Sequence, residues 1–482
     1  MIARAALALL LATVAPAAAL ERLPGVLHVH SNFSTGTDTI DGLATVAREQ
    51  GIGALLLSEN YLLRLEYGLP PFRALTRVVH EERSVLDRVE EYFARIAEAR
   101  RRFPGMVFVP GVEVMPHYHW SGNPLALDLR IHDSQKNLLL FGINDAEGLR
   151  RLPVTGNPGA RVFQARGLIE ALPALLIVPG LVVLARPRRR RIRLGGMVIV
   201  QTQRRWLLGG ALVLIGMATL VRGWPFTVDR YPPWRAFGLD PHQEVIDAVE
   251  TRGGAVVWSF PEAPDAGERF FGPARVSWGT APYADDLLAT SGYTAFGAVY
   301  EQPTTFARPG GGWDRILGQY AAGERARPVW GVGESGYHQA SRGKRIGPIQ
   351  TVFLVEQRTE AAVLDALKRG RMYAVRTTEV GLVLAELVVA SAAGAATMGE
   401  TLPAPAGTPL EVRAIIEATR APDRVVRVTL VKNGQVAEAW AGPAPLRVVH
   451  RDVADGRRNV YRLEARVSAG DHLLSNPVFV AP

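Results

Sequence analysis

Six short apolar runs that end in polar residues constrain this 482-residue chain more than any other feature. They are GVLHVH (25–30), IGALLLSEN (52–60), MVFVPGVEV (106–114), NLLLFGIN (137–144), GAVVWSFPE (254–262) and RPVWGVGESGYH (327–338). A strand that is apolar on both faces must be covered on both, as in parallel sheets wrapped by helices. The intervening sequence supplies such helices: DGLATVAREQG, stopped by Gly51, and DPHQEVIDAVETRGG. The pattern predicts an α/β fold with a parallel sheet. Its polar residues fall at the carboxyl ends of the strands, where α/β barrels place their chemistry.

At those ends stand His28 and His30, Glu59 and Asn60, Glu113, the loop residues His117, His119 and His132, and finally Glu334 and His338. If Val26 to His30 is a strand, its period of two sends His28 and His30 to the same side. Histidines and carboxylates converging on one mouth suit a hard or borderline divalent cation, Zn, Mn or Fe. Such an ion lowers the pKa of bound water and clamps an anionic oxygen, the usual requirements for phosphoester hydrolysis. Taken singly, each residue also has a plain structural role, Glu113 as a buried hydrogen-bonding carboxylate, His117 and His119 as exposed loop residues, His338 as a strand-end cap. There is no GxSxG elbow, no P-loop and no HExxH.

The opening MIARAALALLLATVAPAAAL carries one Arg, an apolar stretch and the small-residue site Ala17-Ala18-Ala19, so residues 1–19 read as a secretory signal peptide. Cysteine is absent, which removes disulfides, thiolate ligands, a Cys nucleophile and a lipidated Cys. Two further apolar segments, GLIEALPALLIVPGLVVLA (167–185) and WLLGGALVLIGMATLV (206–221), have lengths that bracket the minimum for a membrane span. Between them RPRRRRIRLGGMVIVQTQRR (186–205) holds eight arginines and no acid. The positive-inside rule puts that loop in the cytoplasm and both flanks outside, in the periplasm where the cell has an outer membrane. The alternative is a pair of buried core helices. The net charge is +9, and setting the eight arginines aside leaves about +1, so no domain-wide basic field is implied. The arginine stretch has no interleaved aromatics, and no nucleic-acid partner is expected.

With these residues in view, the chain resembles the PHP (polymerase and histidinol phosphatase) domain family over roughly residues 25–160 and 225–380. LHVHSNFSTGTDTIDGLATVAREQGIGALLLSEN follows the family's opening motif, VFVPGVEV its second, and GVGESGYH its last; EVIDAVETRGGAVVWSFPEA resembles the segment that normally ends in Ala-His-Pro, and EAAVLDALKRGRMYAV the closing helix and turn. The resemblance implies a distorted, TIM-like (βα)7 PHP barrel that binds metal and hydrolyses phosphoesters. It also implies that His28, His30, Glu113 and His338 are metal ligands, with Glu59 standing where the family has Asp. Four matches fail: Asn60 replaces a His, Asn137 falls where a His is expected, Phe260 occupies the His of Ala-His-Pro, and Gly336 stands in place of an Asp. Enough ligands remain for one ion or none, with His117, His119, His132 or Glu334 as replacements.

From about residue 383 the texture becomes short alternating runs with turn signals such as Asn433-Gly434, expected for a β-sandwich that resembles the immunoglobulin-like module following some exported PHP domains. The expected organisation is a signal peptide (1–19), a first barrel part (20–166), a transmembrane hairpin (167–222), a second barrel part (223–382) and the sandwich (383–482). The partners expected are the membrane, an anionic phosphate-containing substrate or ligand, and an envelope protein through the sandwich. Two functions stay open: a metal-dependent phosphoesterase with a reduced site, and an inactive PHP barrel that acts as an envelope ligand-binding or scaffold protein.

Overall fold

The chain alternates strand and helix as its apolar runs require. The structure, a computed structural model, describes residues 20–339, 344–468 and 470–482; the signal peptide expected at 1–19 lies outside the described residues. The first unit is β1 (Glu21–Val29), α1 (Ile40–Glu49), β2 (Ala54–Leu57) and its continuation β3 (Glu59–Asn60). Thr39 caps α1 by accepting the Gly42 N–H, and Gly51, at φ 73°, follows its end. The helix buries Ile40, Leu43, Ala44 and Ala47, the apolar stripe of a 3.6-residue period.

A hairpin of β4 (Arg64–Tyr67) and β5 (Val78–Glu81), with the short α2 (Arg73–Thr76) in its connection, precedes α3 (Val89–Arg102), β6 (Val107–Val109) and β7 (Gly111–Val114). A second hairpin, β8 (His119–Asn123) and β9 (Asp128–His132), leads to β10 (Leu138–Phe141) and α4 (Ala146–Arg150). Then come α5 (Ala165–Ala171), α6 (Ile177–Ala185), β11 (Arg188–Leu194), β12 (Met197–Gln203) and α7 (Trp206–Gly223). After them follow α8 (Asp240–Thr251), β13 (Ala255–Trp258), a third hairpin of β14 (Asp265–Phe271) and β15 (Ala274–Thr280), α9 (Asp286–Ala289) and β16 (Ala295–Val299). The α/β part ends with α10 (Gly312–Ala321), β17 (Trp330–Gly333), β18 (Ile349–Val355), α11 (Glu360–Arg369) and β19 (Met372–Arg376).

β1 pairs in parallel with β2, β2 with β6, and β3 with β7. β13, β16 and β17 are likewise parallel. Beyond β17 the Ser335 N–H donates to Leu27 O, the Tyr337 N–H to His28 O, and the His30 N–H to Tyr337 O, so the hydrogen-bonded path returns to its first strand. The expected parallel sheet needs one correction: β10 runs antiparallel to both neighbours, β7 and β13. The chain reaches β10 from β7 through the β8–β9 hairpin, with no crossover helix to carry it back to the other end. Asn137, which precedes β10, therefore stands at the end where the other strands finish.

The arginine stretch is also corrected, from a loop to an antiparallel ribbon in which β11 and β12 turn on Gly195 and Gly196, both at positive φ. It joins two helices long and apolar enough to cross a membrane, Ala165–Ala185, which bends through a 3-10 turn containing Pro173, and α7. Core helices would be mostly buried; here only 11% and 17% of the most apolar windows are. The pair packs closely because Gly180 faces α7, where a Cβ would sit 2.9 Å from Val213 N. Glu170 pairs with Arg73 at 3.2 Å, and Val162 and Val228 form an antiparallel bridge at the base of the insertion.

The C-terminal strands are β20 (Leu382–Ser391), β21 (Gly394–Ala396), β22 (Thr401–Pro403), β23 (Pro409–Ala418), β24 (Val426–Lys432), β25 (Gln435–Gly442), β26 (Leu446–Val453), β27 (Asn459–Arg466), β28 (His472–Ser475) and β29 (Val478–Ala481). One sheet is β21-β20-β23-β26. The other strands are not a separate layer added after the α/β part: β28 pairs with β19, so their sheet runs on through β18 to β1. Leu384, Val412 and Ile416 from the first sheet share one core with Val428, Leu463 and Leu473 from the second. Arg462 on β27 grips Asp314 on α10 with two hydrogen bonds, at 2.7 and 2.6 Å.

Candidate metal centre

The register of β1 against β2 shifts between Leu27 and Val29, and His28 in that bulge takes φ 68°. A bulge re-aims a side chain, and a left-handed backbone at a residue other than Gly is held only where its surroundings enforce it. The result is that His28 and His30, both buried, bring their ring centroids to 4.9 Å. Their Nε2 atoms face the same carboxylate, His28 at 3.4 Å from Glu113 Oε1 and His30 at 3.5 Å from Glu113 Oε2. Both Nε2 atoms are buried without a hydrogen-bond partner. Among the described residues these three form the group whose donor atoms lie close enough to share an ion, all within 4.8 Å of one another. Tetrahedral ligands about 2.1 Å from a cation stand about 3.4 Å apart, a spacing that the two imidazole–carboxylate separations match.

Surrounding groups fix the trio. His28 Nδ1–H donates to Glu334 Oε1 at 2.7 Å, so Nε2 is the nitrogen left to face Glu113, and a cation bound there would have to displace its proton. Glu334 is held in turn by Ser259 Oγ–H at 2.5 Å and the Phe260 N–H at 3.0 Å. Asn60 and Asn137 both donate to Glu113, at 2.9 and 2.8 Å. The two amides that stand where histidines were expected thus orient the carboxylate. Glu59, expected as a ligand, accepts from Ser31 N–H and Ser34 Oγ–H and lies outside the trio. His338 stacks on His30 at 4.0 Å and hydrogen-bonds Thr35 through Nδ1, beside the trio rather than within it.

Burial pulls the His28 imidazole down, but Glu113 and then Glu334 outweigh it and raise its pKa to about 9. Burial, with the charges of His28, His338 and Lys344, pushes His30 well below its ordinary value against the pull of Glu113. Burial would raise Glu113, yet His28 and His30 hold its carboxyl well below the usual range. Burial raises Glu59 despite its serine partners. Glu113 and Glu334 thus flank a protonated His28, the positive charge that a bound cation would replace.

Two of the positions where the resemblance expects a ligand, Phe260 and Gly336, belong to one packing event. The Phe260 ring stacks on His28 at 5.1 Å, and a Cβ on Gly336 would come within 2.7 Å of Phe260 Cζ. Phe260 fills the space and Gly336, at φ 58°, makes room for it.

Of the replacement ligands, only Glu334 reaches the trio. His117 has both ring nitrogens engaged, by Thr155 Oγ1 at 2.9 Å and Arg235 O at 3.2 Å, and burial pushes its pKa to about 4. His119 and His132 stack on each other at 4.6 Å, with His132 Nε2 bonded to Ser121. The supporting roles of Ser34, Thr35 and Ser259 were missed from the sequence; the signal for the first two was the polar SNFST that follows the HxH.

No family model and no curated protein matches the sequence. Solved structures do. A two-domain protein from Bacteroides vulgatus ATCC 8482 containing a predicted PHP-like metal-dependent phosphoesterase is 11% identical, with 92% of this chain and 90% of that one covered and a TM-score of 0.33. A protein from Bifidobacterium adolescentis ATCC 15703 assigned as a metal-dependent phosphoesterase is 16% identical, with 67% and 90% covered and a TM-score of 0.29. Superpositions this loose say nothing about individual residues, and the site stands on its own geometry.

Proposed function

We propose that this chain is a metal-dependent phosphoesterase with a single divalent cation held by His28, His30 and Glu113 at the mouth of a distorted PHP-type barrel. What carries the reading is the pair of buried, unpartnered Nε2 atoms facing one carboxylate, with the tautomer of His28 set by Glu334. The hydrogen-bonded path that closes on β1 supports the barrel. Zn, Mn or Fe bound there would supply a Lewis acid for a phosphoryl oxygen and lower the pKa of water. The chain's own residues do the rest. Glu334 keeps the His28 proton on Nδ1, Asn60 and Asn137 hold Glu113 in orientation, and Phe260 excludes water from one side. With Phe260 in the place of a ligand, the site is one for a single ion and not a bridged pair.

The exposed apolar helices support a hairpin that crosses a membrane, with the arginine ribbon on the cytoplasmic side and the remainder outside. A phosphatase reporter inserted in 186–205 should be silent and one fused at Pro482 active; the opposite pattern overturns this topology.

The chemistry is tested by purifying the protein without chelator, quantifying Mn, Fe and Zn, and assaying aryl phosphomonoesters and diesters beside a His28→Ala, His30→Ala double variant. About one equivalent of metal and turnover lost in the variant are expected. No metal in the wild type, or equal turnover in both, refutes the reading. The filled Phe260–Gly336 space favours a second reading, a barrel that binds an anionic envelope ligand without turning it over; stoichiometric metal with no ester hydrolysed is its signature.

A further inference from the structure

Three hairpins leave the strand ends that carry the metal centre: β4 follows Asn60, β8 follows Glu113 and His117, and β14 follows Phe260. Turns at hairpin tips ordinarily carry Gly, Asn, Asp and Ser. Here Leu125 (94% exposed) and Leu127 cap β8–β9, and Phe270 (62%) and Phe271 cap β14–β15. In the β4–β5 hairpin Val78 (69%) and Val79 open β5, after exposed Leu69 and Phe72 in the connection.

These side chains belong to one patch. β9 and β15 run parallel with Asp128 opposite Arg275, which brings both tips to the same edge of their sheet. The Arg275 N–H donates to Leu127 O at 2.7 Å, and the Phe271 ring meets the His80 ring of β5 at 6.1 Å. An exposed apolar patch assembled from separate hairpins marks a surface that something covers.

The patch is continuous with the apolar helices. α2, in the β4–β5 connection, packs on α7, and its Arg73 pairs with Glu170 on α5. Trp224, exposed, follows α7 at the end that enters the α/β part, where spanning helices place interfacial aromatics. Arg269 lies over the Phe271 ring at 5.3 Å, the mixture of cation and aromatic that suits an anionic headgroup layer.

We infer that these hairpin tips seat in the headgroup layer of the bilayer crossed by the two helices, so that the His28–His30–Glu113 mouth opens against the membrane surface. Its substrate is then an amphiphile whose phosphoester lies in that layer, not a freely soluble ester. The lip rests on the membrane-spanning reading and the substrate class on the hydrolase reading, and the experiment separates the failures of each.

The chain has no cysteine, so single nitroxide labels can be placed at will. Full-length protein is reconstituted in vesicles of equal parts phosphatidylethanolamine and phosphatidylglycerol, labelled at Phe270→Cys, Leu125→Cys, Leu214→Cys within α7, or Val449→Cys on the outer sheet. Accessibility to oxygen is compared with accessibility to a water-soluble nickel chelate. The Phe270 and Leu125 labels are expected to favour oxygen, between Leu214 and Val449. If they read like Val449 while Leu214 reads as lipid, the lip is in water and the inference falls. If both are shielded from oxygen and nickel alike, a protein or a second copy covers the patch, which also overturns it. An aqueous Leu214 refutes the spanning reading and the lip together.

The substrate class has its own arm. A Phe270→Ser, Phe271→Ser variant should lose about tenfold on vesicle-borne phosphatidic acid and less than about twofold on a soluble aryl phosphate. Equal losses on both overturn the substrate class. No turnover of either ester by the wild type removes the hydrolase reading and the substrate class with it, and the labels alone then decide the lip.

Discussion

His28 and His30 differ from His117, His119 and His132 less in position than in what their ring nitrogens do. Both groups follow strands that end at the same side of the circuit. In the first, two buried Nε2 atoms without a hydrogen-bond partner converge on Glu113. In the second, the nitrogens of His117 and His132 are spent on Thr155, Arg235 O and Ser121. His119 Nδ1, buried without a hydrogen-bond partner, has Asp133 3.9 Å away and, among the described residues, no second imidazole nitrogen aimed at that carboxylate. A density of imidazoles therefore does not make a metal centre. What sets the first group apart is that two imidazole nitrogens without a hydrogen-bond partner are aimed at one carboxylate.

The comparison breaks most sharply at the ligands themselves. His30→Ala should leave the purified protein without bound metal by elemental analysis, while His117→Ala keeps it; metal retained by the first or lost by the second would undo the distinction. Next in size is Glu334→Gln. Removing the acceptor that sets the His28 tautomer should weaken metal affinity by about 10–100-fold in chelator competition, and an unchanged affinity would mean that Glu334 does not tune the centre. The second group should answer in stability. His117→Ala strands the Arg235 carbonyl and leaves Thr155 only its bond to Tyr231 O, costing about 1–3 kcal/mol in urea unfolding, with metal content as in the wild type.

The smallest effect is acid sensitivity. His242 stacks on Trp258 at 5.2 Å, donates Nε2–H to Lys136 O, and is pushed by burial to about 3. A histidine depressed in the folded state binds protons more readily when unfolded, so its contribution is complete above the ordinary value of 6.5 and is lost as pH falls from there towards 3. His242→Phe keeps the ring stack and should flatten the stability profile over that window by up to about 1.4 kcal/mol per pH unit; an unchanged slope would show that His242 does not titrate on unfolding.

Much of the site was legible because its residues sit at strand ends. The HxH of β1 and the Glu113 that follows VFVPGV are read from an apolar run and its polar stop. The direction of β10 was not legible, since LLLF reads the same in either direction and only the missing crossover helix reverses it. Glu59 misled for a related reason: a carboxylate at a strand end looks alike whether it faces a cation or two serines. Phe260 and Gly336 read in the sequence as two separate departures from the expected pattern, although each is what permits the other. The eight arginines concealed an ordinary hairpin signal, Gly195-Gly196 between β-branched partners. The pairing of β28 with β19 joins segments about a hundred residues apart in sequence and leaves no mark in either.

Val162 and Val228 exchange hydrogen bonds in both directions, at 3.0 and 2.9 Å, across the base of the apolar insertion. Its two ends therefore meet as neighbouring strands do, and a tight two-residue turn could join them directly. Replacing residues 163–227 by such a turn surrenders the grip of Arg73 on Glu170, the bonds of Arg166 to Asp229 O and Arg230 O, and the packing of α2 on α7. The fold carries its own excision point, and with it a route to a form of the protein without its two most exposed apolar helices, in which metal binding at the candidate centre can be titrated directly.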